Sequence, residues 1–393
     1  MRQDVYILSA VRTAIGKFGG SLKDIKVSEL GSIVICEVLK RAGLDLDDVD
    51  ELIFGNCFPS GESGGNPART AALTAGIPIE KPSFTVFENC TSSLRAVSLA
   101  ASKIAEGESD IVLAGGVENM SQAPFISTKT RWGQRLGHTD LLDYLRVAMF
   151  DPISNYHMGE TAENLAVKYK ISRDEQDKWA FMSQNRAEKA IVSGVFDDEI
   201  IPINIETGKG SVLFKQDEHP KFGTTLESLS QLKPVFIKNG TVTAGNSSGL
   251  NDAAAALLLI SEKKLKGLKS KPLAKILASA FVGVDPAIMG IAPVYATQNA
   301  LKKAKLSLNN IDLIECNEAF AAQIIAVERE LKWDRDKVNV NGGAISLGHP
   351  VGASGARILV TLCYELRRRK ENFGLATMCA GGGIGGAIIV ERA

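Results

Sequence analysis

Short apolar runs with the length of strands alternate along the chain with longer stretches that carry the spacing of helices. The first run is residues 5–8, and later ones are residues 84–87, 338–340 and 387–390. Such alternation is typical of α/β proteins, in which helices cover a sheet of mainly parallel strands. The pattern therefore predicts an α/β fold with largely parallel pairing.

The two ends of the chain resemble each other in the order of these elements. Residues 49–56 parallel residues 311–317, and each segment follows a helix-like stretch. Cys90 and His349 occupy corresponding places, since each follows a strand run and precedes a helix rich in small residues. We expect two similar halves that each supply a loop to one shared site.

The stretch between residues 121 and 248 has no counterpart in the second half. It holds two of the three tryptophans and three of the four histidines. Within it, Ser172 and Glu175 have the spacing of a capping box, which predicts a helix through about residue 193. The chain is thereby divided into a first half of residues 1–120 completed by 249–270, an inserted loop domain of residues 121–248, and a second half of residues 271–393.

Composition narrows the class of protein. With 393 residues, of which 45% are hydrophobic, the chain can bury large cores, and its formal net charge of zero argues against a nucleic-acid partner. The longest apolar runs fall far short of the roughly 20 residues of a membrane span. Six cysteines include no Cys-x-x-Cys pair, so neither a metal site nor a disulfide framework is indicated. Because no targeting segment is recognisable, we expect a cytoplasmic protein with reduced thiols.

Four separated stretches of small residues each present one reactive side chain: Cys90, Asn317, His349 and Cys379. Glycine beside a reactive residue lets backbone N–H groups approach a ligand without a Cβ in the way. A helix that begins just after Cys90 would also favour negative charge on its sulfur. The four side chains are therefore candidates for one active site.

These motifs resemble those of the thiolase family, and the resemblance runs essentially from end to end. It includes Ser-Ala-Val-Arg-Thr-Ala-Ile-Gly-Lys-Phe-Gly-Gly at residues 9–20, Ala-Gly-Gly-Val-Glu-Asn-Met-Ser at residues 114–121 and Thr-Ala-Gly-Asn-Ser-Ser-Gly-Leu-Asn-Asp at residues 243–252. The chain departs from the family pattern at Ser93 and Ala253, where thiolases usually have glycine. Both departures bear on the expected shape of the acyl pocket.

The resemblance implies the α/β thiolase fold. This fold has two duplicated βαβαβαββ-type halves in a five-layered α-β-α-β-α arrangement, with an inserted loop domain that holds coenzyme A and supports a homotetramer built from dimers. By the same resemblance, residues 83–89 would lie at the dimer seam, and residues 125–145 would join dimers.

The resemblance also implies a reaction in which two acetyl-CoA molecules give acetoacetyl-CoA and free CoA, without a metal or redox cofactor. Cys90 would be the nucleophile, and His349 would take its proton and later donate a hydrogen bond to the thioester oxygen. Cys379 would be the second acid/base cysteine, and Asn317 would orient a water beside His349. The N–H of Gly381 would join that of Cys90 in an oxyanion hole.

A further set of family positions is expected to contact coenzyme A or the acyl group. The set consists of His157, Met158, Lys221, Ser228, Ser248, Met289, Ala319 and Phe320. Met158, Met289 and Phe320 match positions that close the acyl pocket, which favours a two-carbon group.

Several residues also have simpler interpretations. Cys36, Cys57, Cys316 and Cys363 are expected to be structural thiols, Cys36 and Cys363 as buried small hydrophobes. We expect His138 and His219 at the surface, Lys221 could be an ordinary surface lysine, and Asn317 could merely stabilise a turn. The string Gly381-x-Gly383-x-x-Gly386 fits a dinucleotide fingerprint, but a strand run follows it instead of a helix, so NAD binding is rejected.

Alternatives to a short-chain thiolase remain open at this point. A ketoacyl synthase of the same superfamily would lack the second cysteine, and a broader-chain 3-ketoacyl-CoA thiolase would differ in its acyl pocket. A non-catalytic acyl-CoA or lipid carrier is disfavoured because all four reactive residues are intact. A papain-like hydrolase is disfavoured because the expected signature around its cysteine is absent.

Overall fold

The computed structural model describes residues 3–60, 65–208 and 210–393. In chain order its strands are β1 Val5–Thr13, β2 Gly16–Lys17, β3 Glu51–Gly55, β4 Ser83–Val86, β5 Ile111–Asn119, β6 Phe125–Ile126, β7 Leu142–Asp143, β8 Phe150–Asp151, β9 Tyr156–His157, β10 Ile200–Ile201, β11 Ile203–Thr207, β12 Gly210–Phe214, β13 Asn251–Ser261, β14 Ala274–Gly283, β15 Leu313–Cys316, β16 Phe373–Ala380 and β17 Ile384–Arg392.

The α-helices are α1 Val27–Ala42, α2 Pro67–Ala75, α3 Ser92–Glu106, α4 Tyr144–Ala148, α5 Met158–Lys168, α6 Arg173–Val192, α7 Leu226–Ser230, α8 Glu262–Leu265, α9 Ala292–Ala304, α10 Ala321–Leu331, α11 Ala344–Leu347 and α12 Ser354–Arg369. Single 3₁₀ turns occur at Leu46–Asp48, Met120–Gln122, Pro286–Ile291, Leu308–Asn310, Arg335–Lys337 and Val351–Ala353.

The main sheet consists of two halves of the same design. Its order is β15-β16-β17-β14-β1-β13-β5-β3-β4. The run β1-β13-β5-β3-β4 in the first half is matched by β14-β17-β16-β15 in the second. The halves are joined where Tyr6 and Ile7 of β1 pair with Lys275 and Ala274 of β14. The expected duplication is confirmed.

The sequence pattern misjudged how the strands pair. β3 lies parallel to β4 and β5, and β15 lies parallel to β16, but β13 and β17 run antiparallel to their neighbours. The prediction of largely parallel pairing was therefore wrong. An apolar run by itself carries no information on strand direction.

The strand expected at residues 338–340 is reduced to one bridge between Ile314 and Val338. A 3₁₀ turn ends immediately before it, and Asn339 takes the left-handed conformation with φ 46°. These two bends leave no room for the counterpart of β4.

The register locates the equivalent positions in the two halves. Asp50 accepts hydrogen bonds from two backbone N–H groups at the start of β5, and Asp312 does the same at the start of β16. Counting on from these two aspartates, Gly55 corresponds to Asn317. The parallel between residues 49–56 and 311–317 thus holds, but Asn56 is displaced by one position from Asn317.

Three hydrophobic cores separate the layers. One packs α1 and α2 on the outer face of the first half, another packs α9 and α10 on the outer face of the second, and a third surrounds α3 and α12 between the halves. Along β13, Ala254, Ala256 and Leu258 face the first core while Ala255 and Leu257 face the central one. This period-two alternation lets one sheet pack against helices on both sides, which gives the five layers.

The inserted segment is fastened to the first half by a buried arginine. Arg12 of β1 donates its Nε to Glu199 at 2.6 Å and two further N–H groups to the Asp217 carboxylate at 2.7 and 3.0 Å. Within the insert, Ser172 caps α6 and shares a capping box with Glu175, as predicted. The proposed limits of the loop domain remain a prediction.

Candidate active site

Two glycines, Gly55 at the end of β3 and Gly116 within β5, let the motifs of Cys90 and His349 meet. A Cβ on Gly55 would lie 2.5 Å from the nitrogen of Ser93 and 2.6 Å from the carbonyl oxygen of Gly352. A Cβ on Gly116 would lie 2.2 Å from the same Gly352 oxygen. Ser93 lies three residues after Cys90, and Gly352 lies three residues after His349. Because Gly55 and Gly116 have no side chains, the two loops can approach each other at this point.

Cys90 lies in the turn that precedes α3. Asn89 takes a left-handed conformation with φ 49°, and its side-chain amide donates to the carbonyl oxygen of Gly381 at 2.8 Å. Burial raises the pKa of the Cys90 thiol to about 11, although the N–H groups of Gly381 and of Cys90 itself oppose the rise. The Gly381 N–H is therefore directed at the Cys90 sulfur, on the side expected for the oxyanion hole.

His349 is held between α11 and the 3₁₀ turn that leads into α12. Its backbone N–H donates to the Asn251 side chain at 2.9 Å, and its Nδ1 lies 2.6 Å from the hydroxyl of Ser354. Burial, reinforced by the charge of Arg357, lowers the pKa of His349 to about 3. Its buried Nε2 has no hydrogen-bond partner among the described residues, so a neutral imidazole presents an open nitrogen.

Asn317 and Cys379 complete the cluster at the ends of β15 and β16. Asn317 is fully buried, and neither its side-chain oxygen nor its nitrogen has a partner among the described residues. Burial raises the pKa of Cys379, and the neighbouring charge of Cys90 raises it further. The two thiols are therefore close enough to interact, and buried polar atoms without partners mark a place for a ligand or water.

Aromatic side chains line the approach to this cluster. The His157 ring stacks on Phe236 with centroids 5.1 Å apart, and Phe236 meets Phe320 edge-on at 6.0 Å. Met158 lies at the inner end, because a Cβ on Gly381 would stand 3.0 Å from its sulfur. The structure thus joins three of the predicted acyl-pocket and coenzyme positions in one wall. Sequence reasoning missed Phe236, which carries no motif of its own.

The wall opens into a surface pocket of about 750 Å³. Arg146, Val147, Phe150, His157, Glu160, Val235 and Phe236 line it. Burial lowers the pKa of His157, while Glu160 opposes this and Arg146 adds to it. The pocket is large enough for part of a coenzyme-sized ligand.

The remaining predicted contact residues occupy two regions. Ser248 and Ala319 are joined by a backbone hydrogen bond of 3.0 Å beside Phe320, and Met289 is buried in the core of the second half. Lys221 and Ser228 are exposed on the insert, where Ser228 forms a capping box with Thr225 at the start of α7. The structure brings the first group to the cluster and leaves the second at the surface.

Comparison with known proteins decides the family. The thiolase N-terminal domain matches residues 5–263, and the thiolase C-terminal domain matches residues 270–392. The chain belongs to the thiolase family.

Relatives of this thiolase are similar over their full length. It is 51% identical to an acetyl-CoA acetyltransferase of Syntrophomonas wolfei over 100% of both chains. It is 53% identical to one of Pseudomonas aeruginosa over 99% of this chain and 100% of the relative.

Solved structures share the fold. The Bacillus anthracis acetyl-CoA acetyltransferase superposes with a TM-score of 0.98 at 49% identity, covering 100% of this chain and 99% of the other. The human mitochondrial 3-ketoacyl-CoA thiolase in complex with CoA gives a TM-score of 0.96 at 44% identity, covering 100% and 98%. The thiolase fold is thereby confirmed for the whole chain.

Ser93 and Ala253, the two residues that depart from the family pattern, make their contacts away from the acyl pocket of this thiolase. The hydroxyl of Ser93 accepts a hydrogen bond from the backbone N–H of Ala356. Ala253 packs in the outer core of the first half, in register with Glu118 of β5. Neither residue therefore sets the acyl-pocket shape directly.

Two expectations about single residues were wrong. Cys36 is exposed, because it lies on the solvent side of α1 and not on the face that packs against the sheet. His219 is partly buried, since its ring lies against the bare Cα of Gly249, and burial with the charge of Lys221 lowers its pKa to about 4. Cys57, Cys316 and Cys363 are buried, as expected for structural thiols.

Sequence reasoning missed a buried carboxylate, Glu118, which joins the segment after β3 to the loop that follows His349. Glu118 accepts hydrogen bonds from the backbone N–H groups of Cys57, Phe58 and Gly352 and from the side chain of Asn56. Burial raises the pKa of Glu118 to about 8, and the three N–H donors oppose this. All four partners are donors, so the carboxylate is best satisfied when ionised.

A second buried carboxylate follows Asn317 directly. Glu318 accepts hydrogen bonds from Trp179 and Ser183 of α6, from Asn339 and from the backbone N–H of Ile345. One side chain thus fixes the Asn317 turn, the His349 loop and the inserted segment in place.

Across the described ranges, no helix has the length and apolar character needed to cross a membrane. In the same ranges, no three His, Cys, Asp or Glu side chains are grouped so as to hold a metal ion.

Proposed function

We propose that this thiolase is an acetyl-CoA C-acetyltransferase, which condenses two acetyl-CoA molecules to acetoacetyl-CoA and CoA in a reversible reaction. The observation that carries the proposal is the pairing of Cys90 with a second buried thiol, Cys379, beside the open Nε2 of His349 and the unpartnered amide of Asn317. One thiol can hold the first acetyl group while the other moves a proton.

In the first half-reaction Cys90 forms the covalent intermediate. His349 is neutral in the resting site, so its Nε2 can accept the Cys90 proton as the thiolate attacks the thioester carbonyl. The N–H groups of Cys90 and Gly381, which both act on the Cys90 sulfur, would stabilise the resulting oxyanion. Cys379 is protonated because burial raises its pKa, so it can give its proton to the departing CoA sulfur.

In the second half-reaction Cys379 acts as the base. Its thiolate takes an α-proton from a second acetyl-CoA, and the enolate oxygen accepts hydrogen bonds from the protonated His349 and from a water held by Asn317. The carbanion attacks the acetyl group on Cys90, acetoacetyl-CoA leaves, and His349 returns its proton to Cys90. No metal or redox cofactor takes part, because the thioester itself acidifies the α-carbon.

Cys379 distinguishes this activity from that of a ketoacyl synthase. The test is whether the protein releases CoA when acetyl-CoA is the only substrate. A thiol-reactive reagent measures the free CoA. A strict requirement for a malonyl thioester would replace the proposal by a synthase. Binding of CoA without thiolysis of acetoacetyl-CoA would replace it by a non-catalytic carrier.

A broader-chain 3-ketoacyl-CoA thiolase is the second candidate, favoured by the similarity to the human mitochondrial 3-ketoacyl-CoA thiolase. Met158, Met289 and Phe320 support the short-chain proposal, because these three bulky side chains pack in one cluster and would leave room for a short acyl group. Steady-state thiolysis of four-, six- and ten-carbon 3-ketoacyl-CoAs separates the two. A preference for the ten-carbon substrate would contradict the short-chain proposal.

We further propose a cytoplasmic homotetramer built from dimers. β4 lies at the end of the main sheet beside β3, and Phe87 just beyond it is 61% exposed. Trp132 and Leu136 between β6 and β7 are 93% and 92% exposed, which is typical of an interface. A monomer in analytical ultracentrifugation at micromolar concentration would contradict this.

A further inference from the structure

The imidazole of His349 makes one side-chain hydrogen bond among the described residues, to Ser354. Its Nδ1 lies 2.6 Å from the Ser354 hydroxyl oxygen, at the first position of α12. The same hydroxyl lies 2.9 Å from the carbonyl oxygen of Pro350. Both His349 and Ser354 are buried, so water does not compete for these contacts.

The number of available protons decides which group donates in the hydrogen bond between His349 and Ser354. A serine hydroxyl has one proton, and a carbonyl oxygen can only accept. If Ser354 gave its proton to His349, its oxygen would face the Pro350 carbonyl at 2.9 Å with no proton between them, which is costly in a buried site. The hydroxyl therefore donates to Pro350, and its oxygen accepts the proton of Nδ1.

We propose that Ser354 is a positioning residue that holds neutral His349 as the Nδ1–H tautomer and thereby leaves the Nε2 lone pair free to take the Cys90 proton. The inference rests on the proposed function, in which His349 is the base. The open Nε2 is the nitrogen that this tautomer leaves without a proton.

The contact serves both charge states of the imidazole. When Nε2 takes the proton, the S–H bond of Cys90 breaks and an N–H bond forms, while the Nδ1–H bond to Ser354 stays as it was. Ser354 needs no rotation, because its own proton is committed to Pro350 throughout. The same hydrogen bond then supports the imidazolium that faces the enolate oxygen, so the site does not reorganise between steps.

The backbone of His349 is fixed independently of Ser354. Asn251 accepts the His349 N–H at 2.9 Å, and its own side-chain amide donates to Gly16 at 2.9 Å. Loss of the Ser354 hydroxyl should thus leave the loop in place and release only the ring.

The first test is the tautomer in the wild-type holoprotein, by ¹⁵N NMR of selectively labelled histidine, which is tractable because the chain has 4 histidines. The expected spectrum shows a protonated Nδ1 and an unprotonated Nε2 for the signal that disappears in His349→Gln. A proton on Nε2 instead of Nδ1 would overturn the proposal.

The second test compares Ser354→Ala with Ser354→Thr in rapid-quench acetylation of Cys90 by acetyl-CoA. Ser354→Ala should slow acetylation roughly 10- to 100-fold, the range typical of removing an outer partner of a functional histidine, with little change in the KM for acetyl-CoA. The threonine variant should recover most of the rate. Equal rates for the wild-type and alanine proteins would overturn the proposal.

Ser346→Ala is the matched control, because it removes another nearby buried hydroxyl, in α11, that bonds to Gly343 and Ser183 and not to the imidazole. It should acetylate at the wild-type rate, and a loss as large as that of Ser354→Ala would assign the effect to packing. Absence of any acetyl adduct in the wild-type protein would instead refute the proposed function, while the NMR result on the tautomer would stand by itself.

Discussion

The hydroxyl of Ser93 accepts a hydrogen bond from the backbone N–H of Ala356 at 2.9 Å. Ser93 lies in the first turn of α3, directly after Cys90, and Ala356 lies in the first turn of α12, just after the His349 loop. N–H groups in the first turn of a helix have no partner within that helix. Ser93 therefore caps α12 from outside and links the two helices that follow the nucleophile and the base.

Replacing Ser93 by alanine should lower the free energy of unfolding by about 1–3 kcal/mol, because it leaves a buried N–H without an acceptor. The midpoint of urea unfolding at pH 7 measures this. Ser102→Ala, at an exposed position of the same helix, should change stability by less than about 0.5 kcal/mol. Equal midpoints for Ser93→Ala and wild type would show that the hydrogen bond contributes nothing.

The Cys90→Ser and Cys379→Ser proteins should differ in whether acetyl-CoA still acetylates them. Cys90→Ser should form no acetyl-enzyme, because serine is a poor nucleophile without a strong base. Cys379→Ser should still form one acetyl adduct and then stall, since it cannot remove the α-proton of the second acetyl-CoA. Mass spectrometry of each protein after incubation with acetyl-CoA distinguishes the cases.

The matched control is Cys363→Ser, a buried thiol in α12 outside the site, which should keep turnover. An adduct on Cys379 in the Cys90→Ser protein, together with normal turnover, would reverse the assignment of roles.

Cys90 should behave as a thiol at neutral pH. Since burial raises its pKa to about 11, its thiolate fraction should grow about tenfold for each pH unit up to that value. Alkylation by iodoacetamide, followed at the Cys90 peptide, should thus accelerate about 100-fold between pH 7 and pH 9. A plateau reached below pH 8 would indicate a preformed thiolate–imidazolium pair instead.

Folding stability should fall as the pH drops below about 6.5. The pKa of His349 is about 3 in the native protein and about 6.5 when unfolded, so between these values the unfolded chain binds a proton that the native chain does not. Stability from this group is complete above pH 6.5, and about 2 kcal/mol of it is lost by pH 5.

His349→Gln should flatten this dependence, measured as urea midpoints at pH 7 and pH 5. The slope should shrink without vanishing, because His219 with its pKa of about 4 acts in the same direction. His138→Gln, at an exposed position, should keep the wild-type slope. An unchanged slope in His349→Gln would contradict a buried neutral imidazole.

Removing the middle ring of the aromatic wall should weaken substrate binding. Phe236 packs against both His157 and Phe320, so its removal should release both rings from the position in which they line the approach to the site. Phe236→Ala should therefore raise the KM for acetyl-CoA roughly tenfold. Steady-state kinetics beside Phe222→Ala, an exposed ring of the insert, test this, and equal KM values would place the coenzyme elsewhere.

Sequence alone could predict features that depend on local chemistry. Ser172 and Glu175 form the expected capping box because both partners lie within one turn. Cys90 and Asn317 stood out because small or polar residues surround them, and His349 and Cys379 because glycines do. The duplicated halves were visible because equivalent strands keep similar order and spacing.

Features that depend on distant partners could not be predicted in this way. Phe236 contacts His157 only because the folded chain brings the start of α5 beside the segment after α7. Glu118 is likewise defined by donors from two distant segments, residues 56–58 and Gly352. Burial of His219 depends on Gly249, thirty positions further on in the chain. The antiparallel pairing of β13 could not be predicted either, because the connections between strands, and not the apolar run itself, decide the direction of a strand.

The central helix layer has a consequence for any attempt to divide this molecule. α12 is buried on almost every side, because the first half covers one flank of it and the second half covers the other. Expressed alone, either half would present a wide apolar helix to water and would aggregate or pair with a second copy. A single ancestral half could thus have existed only as a dimer, and in this chain the two partners of that dimer are one polypeptide.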